Sequence, residues 1–295
     1  VTYLPKAKEV LIGESLTKCA SLVECVGQGA WNFILNNGST LRVNARADEH
    51  WLQLDVPTNG KEFPRHDAWQ LLKLNQQGAG LSKLALPSGS LMPHMRVEIP
   101  LDDEVDLRKR LTEACGSLKK TAGRLHGEVK PAKGSEANFL TGDQKATTAV
   151  AGTALKRMCE ETGWKFSERS DAKVAVDLET RNGFYQALVE EHAGGAISFK
   201  AELTRSPVCG ERSKHAVGTM LLRASALIRL ARATVSETEE GATASVETFF
   251  PSSPNAAEFA HALSALAVAC NRFGRTADAL WNEVVAEHYL AAQVG

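Results

Sequence analysis

The sequence predicts an α+β protein of two similar domains, each an antiparallel sheet packed with helices in the order helix, three strands, helix, two strands, helix. Three observations carry this expectation. The stretch from Ala114 to Leu125 (ACGSLKKTAGRL) returns from Ala269 to Leu280 (ACNRFGRTADAL) with the same frame and the same small residues. Upstream of each copy stands a Trp-x-Phe strand start, Trp31 and Phe33 or Trp164 and Phe166, and a strand that closes on Pro100 or Pro251. Between these markers, helical spacing of apolar residues alternates with period-two runs. The domains are expected at 1–130 and 140–295, and 295 residues suffice for two separate cores.

In the first half, Leu11, Leu16, Cys19, Val23 and Val26 recur at helical spacing, so a helix is expected from Ala7 to Val26, stopped by Gly27 and Gly29. Strands follow at Trp31 to Leu35, Thr40 to Arg46 and Trp51 to Val56, punctuated by Asn36-Asn37-Gly38 and by Pro57 to Gly60. Ala68, Leu71, Leu72 and Asn75 place a short helix over 65–77, ending at Gly78 and Gly80. Strands at Leu81 to Leu86 and His94 to Ile99 come next. Asp102, Asp103 and Glu104 are expected on the first turn of a helix, where the dipole favours negative charge, and Leu107, Leu111, Cys115, Leu118, Ala122 and Leu125 form its buried stripe.

Residues 126–141 mix Gly127, Pro131, Gly134 and Ser135 with charges and show no period, which places the boundary there. The second half then reads as a helix over 143–162, strands at Trp164 to Ser167, Lys173 to Glu179, Phe184 to Glu190 and Ile197 to Leu203, and a middle helix from His215 to Ala231. Strands at Arg232 to Glu237 and Ala244 to Phe250 precede a last helix carrying Phe259, Leu263, Leu266, Cys270 and Phe273. On this reading the second half is the larger, by one hairpin and a longer middle helix.

Composition limits the partners. A hydrophobic share of 43%, a charged share of 23% and a net charge of -1 describe a globular chain with no bulk positive field for nucleic acid or an acidic membrane. No apolar run approaches the roughly 20 residues of a membrane span. Six cysteines without a C-x-x-C pair point to a reducing compartment, and a cytoplasmic location is expected.

The search for chemistry returns little. Gly27-x-Gly29 and Gly78-x-Gly80 follow helices and lack phosphate-loop spacing, so they read as helix caps. The eight histidines are dispersed, with no H-E-x-x-H, and neither a metal nor another cofactor is expected. No G-x-S-x-G elbow starts a Ser-His-Asp triad, although such a triad can assemble from distant residues. Arg212, Lys214, Arg223, Arg229 and Arg232 form the densest basic series; such residues commonly lay their stems on apolar surface and keep their heads in water.

One sheet face stands out. Strict alternation over Leu41 to Arg46 and Trp51 to Val56 sends Leu41, Val43, Ala45, Leu52, Leu54 and Val56 inward. Arg42, Asn44, Arg46, Trp51, Gln53 and Asp55 then share the outer face and form the candidate partner-binding surface. Trp51 among polar residues either anchors a partner or packs within the chain, against the other half or against Arg46.

In element order, nearly the whole chain resembles a tandem of type III secretion chaperone-like domains, a bacterial α+β family without a short signature motif. The resemblance implies a non-enzymatic module that binds an unfolded segment of a client protein. It also implies that the tandem supplies within one chain what single-domain members gain by dimerising, so a monomer is expected. This chain departs from the typically acidic members in being near neutral. The alternative is an enzyme with dispersed catalytic residues in the cleft between the domains, which a convergence of perturbed carboxylates or histidines would favour.

Overall fold

The structure, a computed structural model, describes residues 4–37, 39–58, 68–76, 80–90, 92–125 and 151–293. The first half contains α1 (Lys6–Cys19), β1 (Ser21–Gly27), β2 (Ala30–Asn37), β3 (Ser39–Ala47), β4 (Trp51–Pro57), α2 (Ala68–Gln76), β5 (Lys83–Ala85), β6 (His94–Pro100) and α3 (Leu107–Leu125). The second contains α4 (Ala151–Thr162), β7 (Phe166–Ser170), β8 (Lys173–Thr180), β9 (Gly183–Glu191), β10 (Ile197–Ser206), α5 (Glu211–Leu227), β11 (Arg232–Thr238), β12 (Gly241–Phe250), α6 (Ala256–Ala279) and α7 (Glu283–Ala291). The first sheet runs β1-β2-β3-β4-β6-β5, and the second, counted from β7, runs β7-β8-β9-β10-β12-β11. Both are six-stranded and antiparallel, with the same permutation of strands.

Each half has four strands before its middle helix, one more than expected in the first half and as expected in the second. The first helix ends at Cys19, because Ala20 is extended (φ -136°, ψ 160°), and the next seven residues pair with β2 as an edge strand. Six of those seven are exposed, so β1 lacks the alternation that marks a half-buried strand. The expected size difference of one hairpin disappears with this strand. Trp31 lies on β2 while Trp164 precedes β7, so the Trp-x-Phe starts are not equivalent positions. Cys115 and Cys270 do correspond in element and environment: both are buried, on α3 and α6.

Two helix boundaries also differ from expectation. The acidic run precedes α3 instead of starting it: Asp103 pairs with Lys8 at 3.1 Å, and Asp102 accepts from His261 at 2.7 Å. The middle helix of the second half spans Glu211–Leu227 instead of running to Ala231, which leaves Arg229 beyond its end, while Arg232 starts a strand as expected. The expected boundary at 126–141, residues 143–150 of the expected fourth helix, Gly38, Gly60 and Gly78 lie outside the described residues.

The inward set of the first hairpin is as expected: Leu41, Val43, Ala45, Leu52, Leu54 and Val56 are all buried beneath the helices. Each such aliphatic contributes roughly 1.5–3 kcal/mol on leaving water, less for alanine. In the second half Phe199 is the hub, with ring centroids 6.0 Å from Phe250 and 5.1 Å from Phe259. There α6 packs across β10, β8 and β12.

The two middle helices lock the halves together. α2 packs on α5 and β11, and α5 packs on β5. Gly218 admits this approach, since a Cβ there would stand 3.1 Å from the Trp69 backbone nitrogen. Fully buried Asn75 on α2 donates to the carbonyls of Leu84 and Ala233 at 3.1 Å and accepts from the Leu84 amide at 2.7 Å. The first residues of β5 and β11 play matching parts. Lys83 pairs with Glu98 at 2.7 Å and donates to the carbonyls of Ile228 and Ala231 in the other half. Arg232 pairs with Glu247 at 3.0 Å and donates to the carbonyls of Gly80 and Ser82 in the other half. A third tie joins α3 to α6, where buried Arg110 grips Glu258 with two bonds of 2.6 and 2.7 Å.

Candidate functional site

The outer face of the first sheet is concave. Asn44 and Arg46 on β3, Gln53, Asp55 and Pro57 on β4, and His94 and Arg96 on β6 line a cavity of about 320 Å³, with Pro87 at its edge. Strand pairing explains the convergence: Asn44 faces Asp55, Asp55 faces Arg96, and Arg96 faces Lys83, so one row of outward side chains crosses four strands. Period two then adds Arg46, Gln53 and His94 to the same face.

Asp55 is the electrostatic centre. Its Oδ2 accepts from His94 Nδ1 at 2.5 Å and its Oδ1 from Arg96 Nε at 3.0 Å. Burial alone would raise the Asp55 carboxyl, but the His94 hydrogen bond and the Arg96 charge outweigh it and hold the group below the ordinary aspartate range. Arg96 is itself buried and reaches the second half, donating to the Ala226 carbonyl at 3.2 Å. Arg46, by contrast, is exposed and has no ion-pair partner among the described residues. The cavity therefore carries one unmatched cation beside an internally balanced triad.

Four of the six expected residues, Asn44, Arg46, Gln53 and Asp55, line this cavity. Arg42 shares the face but lies opposite Ile34, away from the cavity, and it too is exposed without an ion pair among the described residues. Trp51 is half-buried and turns to the junction of the halves. Its ring meets His261 edge-on at 5.5 Å, and the Arg229 guanidinium lies 5.7 Å from its centroid. The cation beside Trp51 is thus Arg229, not Arg46, and Arg229 also reaches Asp48 at 3.5 Å.

His94 and Arg96 were missed in the sequence. Their alternation along β6 was legible, but the return of β6 beside β4, across an intervening helix and strand, was not. A serine also approaches: Ser90 Oγ stands 3.5 Å from His94 Nε2. That distance is longer than a working hydrogen bond. Ser90 Oγ donates instead to the Met92 carbonyl at 2.8 Å and accepts from the Met92 amide at 3.1 Å, closing a local turn.

The remaining chemistry is muted. Burial pushes the thiols of Cys115 and Cys270 up to about 12 and those of Cys159 and Cys209 to about 11, the opposite of an activated nucleophile. Among the described residues no three His, Cys, Asp or Glu side chains group to hold a metal ion, and no helix is long and apolar enough to cross a membrane.

No protein-family model matches the chain, and no curated protein does. Two solved chains match. One, the crystal structure of the di-domain ARO/CYC StfQ from the steffimycin biosynthetic pathway, is 13% identical over 100% of this chain and 97% of that one, with a TM-score of 0.15. A likeness of that quality carries no argument about fold or function.

Proposed function

We propose that this protein is a non-enzymatic binding module of the type III secretion chaperone-like kind that holds a segment of a partner protein against the outer face of its first sheet. The observation that supports the reading is the cavity itself. Polar side chains from three strands converge on it, and its exposed cation Arg46 has no partner among the described residues while the Asp55, His94 and Arg96 groups satisfy one another. Groups already locked together are a scaffold, and the open Arg46, Asn44 and Gln53 are what a bound segment would meet. The test is affinity capture from native lysate followed by mass spectrometry, with wild type beside Arg46→Glu. Reversing this charge is expected to lower capture of the same partner at least tenfold while thermal stability is kept. Equal capture by both proteins excludes this face.

A second reading, hydrolysis by Ser90 with His94 as base and Asp55 orienting it, is favoured by one observation, the order of the three side chains in space. The turn that engages Ser90 Oγ and the Arg96 pair on Asp55 weigh against it. Covalent labelling of Ser90 by a fluorophosphonate, lost in His94→Ala, would establish this reading over the first.

A further inference from the structure

The second sheet has a groove of its own, of about 370 Å³, on strands β9, β10 and β12, the counterparts of the three that build the first cavity, and on β11 beside them. Register allows the two faces to be compared position by position. The row Asn44-Asp55-Arg96-Lys83 of the first sheet corresponds to Leu188-Lys200-Glu247-Arg232 of the second. The charges at the two central positions are exchanged. In the first sheet the central pair closes, Asp55 with Arg96, because Lys83 takes its carboxylate from Glu98. In the second, Arg232 takes Glu247, and Lys200 is left without an ion pair among the described residues.

An independent observation points into the same groove. Ser245 is 2% exposed and lines the groove, yet its Oγ has no hydrogen-bond partner among the described residues. A buried hydroxyl left unmatched is uncommon, and it asks for an acceptor or donor from elsewhere. Ser245 faces Glu202, one step along the ladder from the Lys200 and Glu247 pair, so it stands about 7–8 Å diagonally from Lys200, the Cβ atoms somewhat closer. A two-oxygen group between them is within reach of both. Glu202 is already paired with Arg205 at 3.0 Å, and Glu240 also lines the groove.

We propose that this groove binds the carboxylate of an acidic side chain in a partner peptide, with Lys200 supplying the charge and Ser245 Oγ donating the buried hydrogen bond. The chemistry selects a carboxylate over a phosphate, because Lys200 is the cation left over once Arg205 pairs with Glu202, so one ammonium matches one negative charge, and the further carboxylate of Glu240 on the lining repels a dianion. The inference deepens the reading of the chain as a holder of a partner segment and rests on it, adding a second contact point and an acidic residue in the segment.

The test titrates isotope-labelled protein with capped Gly-Glu-Gly, capped Gly-Gln-Gly and inorganic phosphate, following backbone amide shifts. The Glu peptide is expected to give saturable shifts at Lys200 and Ser245, at least tenfold tighter than the Gln peptide or phosphate. Lys200→Met should abolish the difference between the Glu and Gln peptides. Ser245→Ala should weaken the Glu peptide about tenfold and leave thermal stability unchanged, since the lost hydroxyl bonded to no described residue. Equal shifts from Glu and Gln peptides, or tighter binding of phosphate, overturn the proposal. The measurement needs no natural partner, so its failure is separate from a failure to capture one.

Discussion

Replacing Glu98 with Gln isolates the buried charge that joins the halves. The change keeps shape and keeps an oxygen for the Leu230 amide, which donates to Glu98 Oε2 at 3.0 Å, but it strips the counter-ion from Lys83. Both side chains of the pair are only 2% exposed, and burial already pushes the Lys83 ammonium below the ordinary lysine range against the pull of Glu98. Breaking such a pair costs about 3–5 kcal/mol. There is also a ceiling, because an abandoned lysine can shed its proton. From its ordinary value of 10.5, neutralisation costs about 1.4 kcal/mol per pH unit, so about 5 kcal/mol at pH 7 and about 2 kcal/mol at pH 9. The folded pKa lies below the unfolded one, the unfolded chain binds more protons in that window, and stability rises with pH. Denaturant unfolding should therefore show Glu98→Gln weakened by about 3–5 kcal/mol at pH 7 and by about 2 kcal/mol or less at pH 9. Adding Lys83→Met removes the stranded charge and should restore stability to within about 2 kcal/mol of wild type. A single variant within about 1 kcal/mol of wild type at pH 7, or a penalty that grows with pH, refutes the reasoning.

Other outcomes follow from the same contacts. Trp51→Ala removes a half-buried ring that bridges to His261 and Arg229, so thermal unfolding should reveal a loss of about 1–2 kcal/mol, below the 3–5 kcal/mol of a core aromatic; unchanged stability with capture lost would instead make the ring a partner anchor. Because Asp55 is held below its ordinary value of 3.8, its contribution to stability is complete above that pH and is lost as pH falls through its lower folded value. Acid unfolding of Asp55→Asn should accordingly lack that part of the slope, and identical acid profiles would count against the His94 and Arg96 contacts. Thiol titration of the native protein at pH 8 should find Cys25 reacting fast, as it is exposed, while Cys115, Cys159 and Cys270 react only on unfolding.

Legibility in the sequence followed burial. The hairpin of β3 and β4 alternates cleanly because one face is in the core and the other in water, and its inward and outward sets were both recovered. β1 failed because an exposed edge strand has no face to conceal, so Val23 and Val26 looked helical at the end of a helical run. The candidate cavity was half legible for a related reason. Asn44, Arg46, Gln53 and Asp55 belong to one local hairpin, while His94 and Arg96 arrive by a crossover that leaves no local trace. The Arg232 contacts were hidden for the same cause: the residue was expected to start a strand, but the pairing of that strand with β12, which sets it against Glu247, left no local trace.

The repeat explains why one fold carries two different faces. Matching strand order obliges each half to bury the first residue of its fifth strand against the other half, and a buried cation there needs a carboxylate. The first half takes that carboxylate from Glu98, two residues beyond Arg96 on β6. The second takes it from Glu247, in the row itself, directly opposite Arg232. That single choice of partner decides which outer face is balanced at its centre and which leaves a lysine unmatched. The junction that makes the halves one unit is in this way also the origin of the difference between their grooves. Moving the acid should move the property: Phe249→Glu with Glu247→Arg would copy only the β6 positions of Arg96 and Glu98 onto β12, giving Arg232 a carboxylate at the position of Glu98 while Lys200 stays where the first sheet has Asp55. The groove would then hold an introduced guanidinium beside Lys200, where Glu247 now stands, and should bind an acidic peptide more tightly than wild type. Weaker binding would show that Lys200 is not the group that reads the charge.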